Sequence, residues 1–327
     1  MTSPHSPHSP HSPHSPHSPH SPHSPHSPHS PHSPHSLYVL LAALLFSTGG
    51  AAIKAVSLDG FQVACLRSAF AAAALALLLP ASRRGWGRPR TWLVAASYAA
   101  TLILFVTSTK LTTAANAIFL QSTAPLWILL LGPWLLKERL RARDVWYMAV
   151  VAAGLAALFL GSPGASITAP DPATGNILAT VAGLSWALTV SGLRWLERSG
   201  ERGGLPAAAL GNVVACLAVL PFAAPFPSPP LADWLTLAFL GLVQIAAAYA
   251  FLTAGLTRVP ALEASLLLLV EPVLNPVWTW LFHGEDPGPW PIAGGALVLA
   301  ATAVKAVMDV RGSAEGKKPP MDTDGHR

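Results

Sequence analysis

The sequence predicts an all-α integral membrane protein with ten transmembrane helices, arranged as two five-helix inverted repeats. Three observations support this fold class: a mean hydropathy of +0.46 with only 11% charged residues, a membrane segment that occurs twice, and loop charges that differ between the two copies. Soluble proteins carry about 25% charged residues. The shortage of charge along most of the chain therefore indicates a polytopic membrane protein rather than a soluble domain with an anchor.

The repeated segment is defined by three marks in the same order. They are Ala117, Pro125 and Glu138 in the first copy, and Ala264, Pro272 and Glu285 in the second. The offset is 147 residues for each pair (264 − 117, 272 − 125 and 285 − 138). Apolar sequence long enough to cross a bilayer lies between the marks, so the chain contains an internal duplication of one helical unit.

Apolar runs of about 17–23 residues predict the individual helices. The predicted spans are 37–56, 61–80, 91–110, 114–136, 144–161, 175–196, 206–222, 231–252, 262–282 and 290–309. The first repeat occupies residues 37–162 and the second 175–309, and a polar tail follows at 310–327. Turn and charge signals separate the spans, for example the arginine-rich stretch at 83–90.

The basic residues predict the orientation. If both termini are cytoplasmic, all 20 Lys and Arg residues lie on the cytoplasmic side except Lys54, Lys110 and the intramembrane Arg67. Five helices per repeat is an odd number, so the second repeat must enter the membrane from the opposite side. The loop 137–143 contains four basic residues, whereas its counterpart 284–289 contains none. This reversal predicts an inverted-topology repeat.

A low-complexity tail precedes the helices. Residues 1–36 consist of Met1-Thr2 and a Ser-Pro-His triplet repeated up to Ser36, and they contain all but two of the 13 histidines. Proline at every third position prevents a helix and no large apolar side chain can form a core, so we predict a disordered, extended tail. Imidazoles without a fixed cage chelate metals only weakly. We therefore expect no metal site and no cofactor, with repeat expansion as the simpler explanation and metal binding as the alternative.

At this point the chain resembles the EamA-type branch of the drug/metabolite transporter (DMT) superfamily. The resemblance covers about residues 37–308 and rests on the stretch 45–54, the pair Ser185-Trp186 with Arg194 after it, the beginning of helix 2 at 61–67, and the repeated marks in helices 4 and 9. In the first copy Phe46 stands where the family pattern usually has tryptophan, and Lys54 is the counterpart of Arg194. The resemblance implies transport of small metabolites, often outward.

Glu271 is the first candidate site residue. It lies near the middle of helix 9, where a carboxyl group is costly and normally faces the bundle interior. Pro272 follows it, as Pro125 follows Ala124 in the first copy, and each proline perturbs its helix by removing an amide donor. Glu271 is interpreted as a substrate-binding or proton-coupling residue. A structural hydrogen bond between helices is the alternative.

Further candidates are polar or aromatic residues within the spans. Arg67 lies in helix 2, about 10 Å from its outer end. Three roles are open for it: binding of an anionic substrate, pairing with Glu271, and snorkelling to the interface. The other candidates are Asn116, Gln121, Gln244, Asn275, Tyr98 and Tyr249, with Trp186 and Phe46 as stacking residues for a ring. For the polar members, interhelical hydrogen bonds are the alternative. Glu138 and Glu285 are interpreted as turn and cap residues.

The motifs exclude most enzyme classes. The sequence contains no phosphate-binding loop, no zinc-type cluster outside the tail and no Ser-His-acid series, so we expect no enzyme. The favoured function is a secondary transporter, in the exporting direction, for a small metabolite, an amino-acid-like compound or a drug. It would work by alternating access, with the substrate near the midplane between helices 1–4 and 6–9. A non-transporting scaffold or a sensor that binds lipid or a partner is the alternative.

The expected partners follow from this interpretation. They are a small-molecule substrate and the lipid bilayer, without nucleic acid, and the sequence is compatible with a homodimer. A composition rich in Ala, Gly, Pro and Arg indicates a bacterial source and hence the plasma (inner) membrane.

Overall fold

A computed structural model describes residues 34–135, 142–161, 164–200, 203–259 and 261–315. The Ser-Pro-His tail up to residue 33, Glu138 and the tail from residue 316 lie outside the described residues. Within the described ranges the regular elements are all helical. Nine stretches there are long and apolar enough to cross a membrane, and the shorter apolar stretch Asp144–Leu160, within the helix Ala142–Leu160, supplies the tenth span. The predicted all-α fold with ten helices in two repeats is therefore confirmed.

We number the ten spans α1 to α10. Their bounds are Pro34–Ser47 and Gly49–Ala55 (α1), Gly60–Leu78 (α2), Pro89–Leu111 (α3), Ala114–Gln121 and Ala124–Leu135 (α4), Ala142–Leu160 (α5), Pro172–Arg198 (α6), Gly204–Ala223 (α7), Leu231–Ala238, the π-helical Phe239–Ala247 and Ala248–Leu256 (α8), Ala261–Leu268 and Val270–His283 (α9), and Pro289–Glu315 (α10). Helix α1 begins inside the predicted tail, and α10 continues beyond the predicted end of its span at 309.

Local sequence signals explain where the helices begin. Asp59 and Gln62 form a capping box at the start of α2, in which the Asp59 carboxylate accepts from the Gln62 amide at 2.9 Å. At the start of α6, Pro172 occupies the first helical position and Asp171 accepts from the Thr174 amide at 3.1 Å. The side-chain and backbone hydrogen bonds from Thr174 hold the pKa of Asp171 below its usual value.

The duplication is visible in the helix breaks. The first segments of α4 and α9, Ala114–Gln121 and Ala261–Leu268, match at the offset of 147 at both ends (261 − 114 and 268 − 121). Each break precedes a repeated proline, Pro125 or Pro272. Proline has no amide hydrogen and clashes with the carbonyl four residues earlier, which belongs here to the last residue of the first segment. The discontinuous helices therefore follow from a local property of the sequence.

The two repeats pack against each other symmetrically: each of the main helix contacts has an equivalent contact between the counterpart helices of the other repeat. Helix α1 packs on α8 and α9, and α6 packs on α3 and α4. Helix α2 packs on its counterpart α7, and α5 packs on its counterpart α10. Helices α1–α4 and α6–α9 thus form the centre of the bundle, and α5 and α10 brace it.

Two interhelical hydrogen bonds show the same symmetry, because equivalent residues of the two repeats form them. The Ser36 hydroxyl of α1 donates to the Glu263 carboxylate of α9 at 2.6 Å. The Asn116 amide of α4 donates to the side-chain oxygen of Asn176 in α6 at 3.1 Å. Asn116 and Glu263 are related by 147 residues, and Ser36 and Asn176 by 140 (176 − 36). The first helices of the two repeats therefore correspond at an offset of 140.

The outer surface of the bundle suits a hydrocarbon environment. Large apolar side chains that are exposed include Leu77, Leu78, Leu93, Leu160, Phe222 and Phe282. Patches of this extent would favour aggregation of a water-soluble monomer, but they match lipid chains in a bilayer.

Both cysteines are free thiols at the contact between α2 and α7. The sulfur atoms of Cys65 and Cys216 lie 3.1 Å apart, which the sequence alone does not indicate because each residue appears only as a small apolar member of its helix. Thiol-labelling experiments therefore need both residues replaced.

We expect a cysteine at Gly164 to react with a membrane-impermeant maleimide in intact cells, and a cysteine at Gly87 not to react. The charge bias predicts that the loop after α5 is external and that the loop after α2 is cytoplasmic. Both positions have open space around the added side chain. Gly87 is preferred to Gly85 of the same loop, because Gly85 has a φ of +81° that disfavours cysteine. Cys65 and Cys216 are replaced in the parent. The opposite labelling pattern would reverse the orientation.

Candidate functional site

Arg67 lies in the interior of the bundle. It is 2% exposed, so the alternative of snorkelling to the interface is wrong. Its Nε and Nη1 atoms have no hydrogen-bond partner. Tyr98 and Tyr249 are close enough to interact with it electrostatically. Helix α8 packs closely on the backbone of α2 at this point, because a Cβ at Gly241 would lie 2.8 Å from the Arg67 carbonyl oxygen. The arginine is thus held at a contact between the repeats with part of its donor capacity unused.

A row of aromatic rings runs beside this arginine. Tyr98 of α3 and Tyr249 of α8 meet edge to face with centroids 5.9 Å apart. Phe46 of α1 meets Tyr249 at 5.5 Å, and Trp186 of α6 lies 6.5 Å from Tyr98. Each repeat contributes two of the four rings, and Phe46 and Trp186 occupy equivalent positions at the offset of 140. The sequence-predicted aromatic candidates therefore come together in one place.

Glu271 lies in the first turn of the second segment of α9. It is half-buried, and it is close enough to Tyr98 and Tyr249 to interact with them electrostatically. Among the described residues no salt bridge connects Glu271 to Arg67, so the predicted pairing of these two groups is absent. The start of a helical segment favours a negative charge through its free amide groups. Glu271 and Arg67 are thus separate charged groups that share the same tyrosines.

Two buried amides face α1. The Gln244 side chain lies in the π-helical part of α8 and donates to the Phe46 carbonyl at 3.3 Å, while its Oε1 has no partner. Neither polar atom of the Asn275 side chain has a partner. A Cβ at Gly49 would lie 2.9 Å from Gln244 Nε2, and one at Gly50 would lie 2.2 Å from Asn275 Oδ1. Only glycine permits this approach, and both amides keep unused hydrogen-bonding capacity.

The remaining polar candidates differ in their surroundings. Asn116 bonds to Asn176 of α6, which is the interhelical contact considered as its alternative role. Gln121 ends the first segment of α4, and its Oε1 atom has no partner. Gln121 therefore keeps unused hydrogen-bonding capacity.

Sequence reasoning missed a buried ion pair. Lys54 at the end of α1 and Glu285 after α9 form a salt bridge of 2.8 Å, with side chains only 3% and 2% exposed. From the sequence, Lys54 is interpreted only as a marker of topology, and Glu285 only as a turn or cap residue. A signal was present in the sequence, because Glu285 is a repeated acidic residue in a loop without basic residues. Nothing in the sequence, however, indicates that Lys54 is its partner.

An apolar groove of about 240 Å³ lies elsewhere, between the bracing helices α5 and α10. Trp146 and Tyr147 line one side, and Val304 and Met308 line the other. It contains none of the sequence-predicted site residues. The groups that suit a polar solute are those between α1, α2, α3, α8 and α9.

Comparison with known proteins agrees with this architecture. The model of the EamA-like transporter family matches residues 34–160 and 173–306, once for each repeat. An uncharacterized transporter of Archaeoglobus fulgidus is 27% identical over 269 residues, covering 81% of this chain and 94% of that protein. The uncharacterized transporter YwfM of Bacillus subtilis is 29% identical over 282 residues, covering 82% and 92%.

A third relative carries a substrate in its name. The threonine/homoserine exporter RhtA of Escherichia coli is 28% identical over 203 residues, which cover 61% of this chain and 64% of that exporter. One crystal structure shares the fold with a TM-score of 0.57 at 23% identity, covering 85% of this chain and 98% of that one. Because the family model matches more than half of the sequence, this chain belongs to the EamA-like transporter family.

Proposed function

We propose that the protein is a secondary transporter that exports a small amino-acid-like solute by alternating access. The observation that carries the proposal is Arg67, a buried guanidinium with two unpartnered nitrogens beside an aromatic row built by both repeats. The chain would act by transport rather than catalysis, in the plasma membrane and with both termini cytoplasmic.

The energetics of Arg67 favour a negatively charged group as its ligand. An uncompensated charge inside a protein costs several kcal/mol, roughly, in free energy of folding. A carboxylate can accept two parallel hydrogen bonds from a guanidinium, and such charge-assisted bonds are stronger than neutral ones. The bound solute would thus supply the compensation that the protein itself does not provide.

The neighbouring groups suit the other end of such a solute. Glu271 can hold a positive charge, and the unused oxygens of Gln244 and Asn275 can accept hydrogen bonds from an ammonium group or a hydroxyl. Tyr98 and Tyr249 are close to both charged residues and can offer apolar faces to a short side chain. Carboxylate, ammonium and a small side chain together describe an α-amino acid.

The relatives support this substrate class. RhtA is named as an exporter of threonine and homoserine, which are both small amino acids with a hydroxyl group. The inverted repeats support the mechanism, because exchanging the conformations of two such repeats moves a midplane site from one side of the membrane to the other.

Uptake into proteoliposomes tests the proposal. We expect the purified full chain to exchange labelled threonine or homoserine across the membrane, and to exchange the matching amino alcohol, which lacks the carboxylate, at least about tenfold more slowly. Liposomes without protein and liposomes with Arg67→Met are the controls. Equal exchange of both compounds would exclude carboxylate recognition. Binding of solute without any exchange would favour the alternative of a sensor or scaffold.

A further inference from the structure

The buried ion pair ties together one face of the bundle. Lys54 donates to the carbonyl of Thr112 at 2.9 Å and also to that of Thr168, in addition to its salt bridge. Glu285 accepts from the Ala114 amide at 2.6 Å, at the amino end of α4. Four segments therefore meet here: the end of α1, the junction of α3 and α4, the loop before α6 and the loop after α9. We call this the Lys54 face; the charge bias predicts that it is external.

The two cations that correspond to each other in the repeats have different surroundings. The offset of 140 that relates Ser36 to Asn176 also relates Lys54 to Arg194 (194 − 54), near the end of α6. The interhelical bonds of Ser36 and Asn176 are both formed, so those contacts are equivalent at the two faces. Lys54 is buried in its salt bridge, whereas Arg194 is exposed. The cation of the Lys54 face is therefore buried and paired, whereas its counterpart at the other face is exposed.

We propose that Lys54 and Glu285, with the backbone groups they bind, form the gate of the Lys54 face, and that the central site opens to that side only when this ion pair separates. The inference rests on the transport function proposed above. Removing one partner from a buried pair leaves an uncompensated charge, but separating both into water hydrates each of them. The pair thus favours two states, fully closed and fully hydrated, over a half-open one.

Accessibility of the site from outside the cell tests the gate. The reporter is Ser47→Cys, which is fully buried next to Phe46, in a parent whose own two cysteines are replaced. We expect an impermeant thiol reagent to label it slowly in the parent and at least about tenfold faster with Glu285→Gln or Lys54→Met, because the closed state loses its compensated pair. Lys54→Arg should label at the parental rate. The matched control is Arg194→Met, which removes the counterpart cation and should not accelerate external labelling.

A covalent lock provides the second measurement. Lys54→Cys and Glu285→Cys, joined by a cleavable bifunctional thiol reagent, should stop solute exchange, and cleavage of the linker should restore it. Thermal unfolding of each variant shows whether it is folded. Unchanged labelling in folded Glu285→Gln and Lys54→Met, or continued exchange by the locked protein, would make the pair a structural clamp and overturn the proposal. Labelling needs no solute, so a response to Glu285→Gln without any transport would reject the proposed function and keep the gate.

Discussion

Replacing Arg67 with methionine is expected to abolish transport and to leave the thermal stability of the protein unchanged or higher. Arg67 is 2% exposed and its Nε and Nη1 atoms have no hydrogen-bond partner, so the folded protein gains little from the charge. Methionine has a similar length and fills the space without a charge to desolvate. The loss of a buried charge-assisted contact to the solute is worth about 2 kcal/mol or more, which lowers the apparent affinity at least about 30-fold.

The control for this prediction is Arg67→Lys. Lysine keeps the charge but not the planar fork, so we expect weakened solute binding rather than none. Proteoliposome exchange measures transport, and the unfolding temperature of the detergent-solubilised protein measures stability. A strongly destabilised Arg67→Met that still transports at the parental rate would show that Arg67 serves folding instead of substrate binding.

Glu271→Gln is expected to reduce transport to the background level and to leave expression and stability close to those of the parent. The substitution keeps size and hydrogen bonding but removes the charge and the titration. The first copy has Ala124 at the equivalent position, so a carboxyl group is not a requirement of the repeat itself. The result is read from exchange rates measured over the neutral pH range, where the parent should respond to pH and the variant should not.

A double variant separates a direct pair from two independent groups. Because Arg67 and Glu271 form no salt bridge, Arg67→Ala should be as harmful to stability in the Glu271→Gln background as in the parent. Relief of the Arg67→Ala defect by Glu271→Gln would instead indicate a pair that forms in another conformation. Parental rates and pH response in Glu271→Gln alone would remove Glu271 from the site.

Features that depend on nearby residues could be predicted from the sequence. Membrane spans follow from the length of apolar runs, and the duplication follows from the constant offset of its marks. The breaks in α4 and α9 also follow locally, since Pro125 and Pro272 each disturb the turn before them. The charged and polar candidates were found because such residues are rare and costly inside a membrane span.

The tertiary structure decided which of these residues meet. Asn116 and Asn275 look alike in the sequence, but Asn116 faces Asn176 of another helix and Asn275 faces Gly50, which offers no polar side chain.

The sequence by itself thus determined the number of spans, their duplication and the family, because these depend on local composition and on spacing. Only the packing of distant helices determined that Arg67 is enclosed without a salt bridge to Glu271, and that Lys54 pairs with Glu285. The partner of a buried charge such as Lys54 lies on a segment far away in the sequence. Which partner it reaches depends on the rotation and approach of helices far apart in the chain, for which a single sequence carries no local signal.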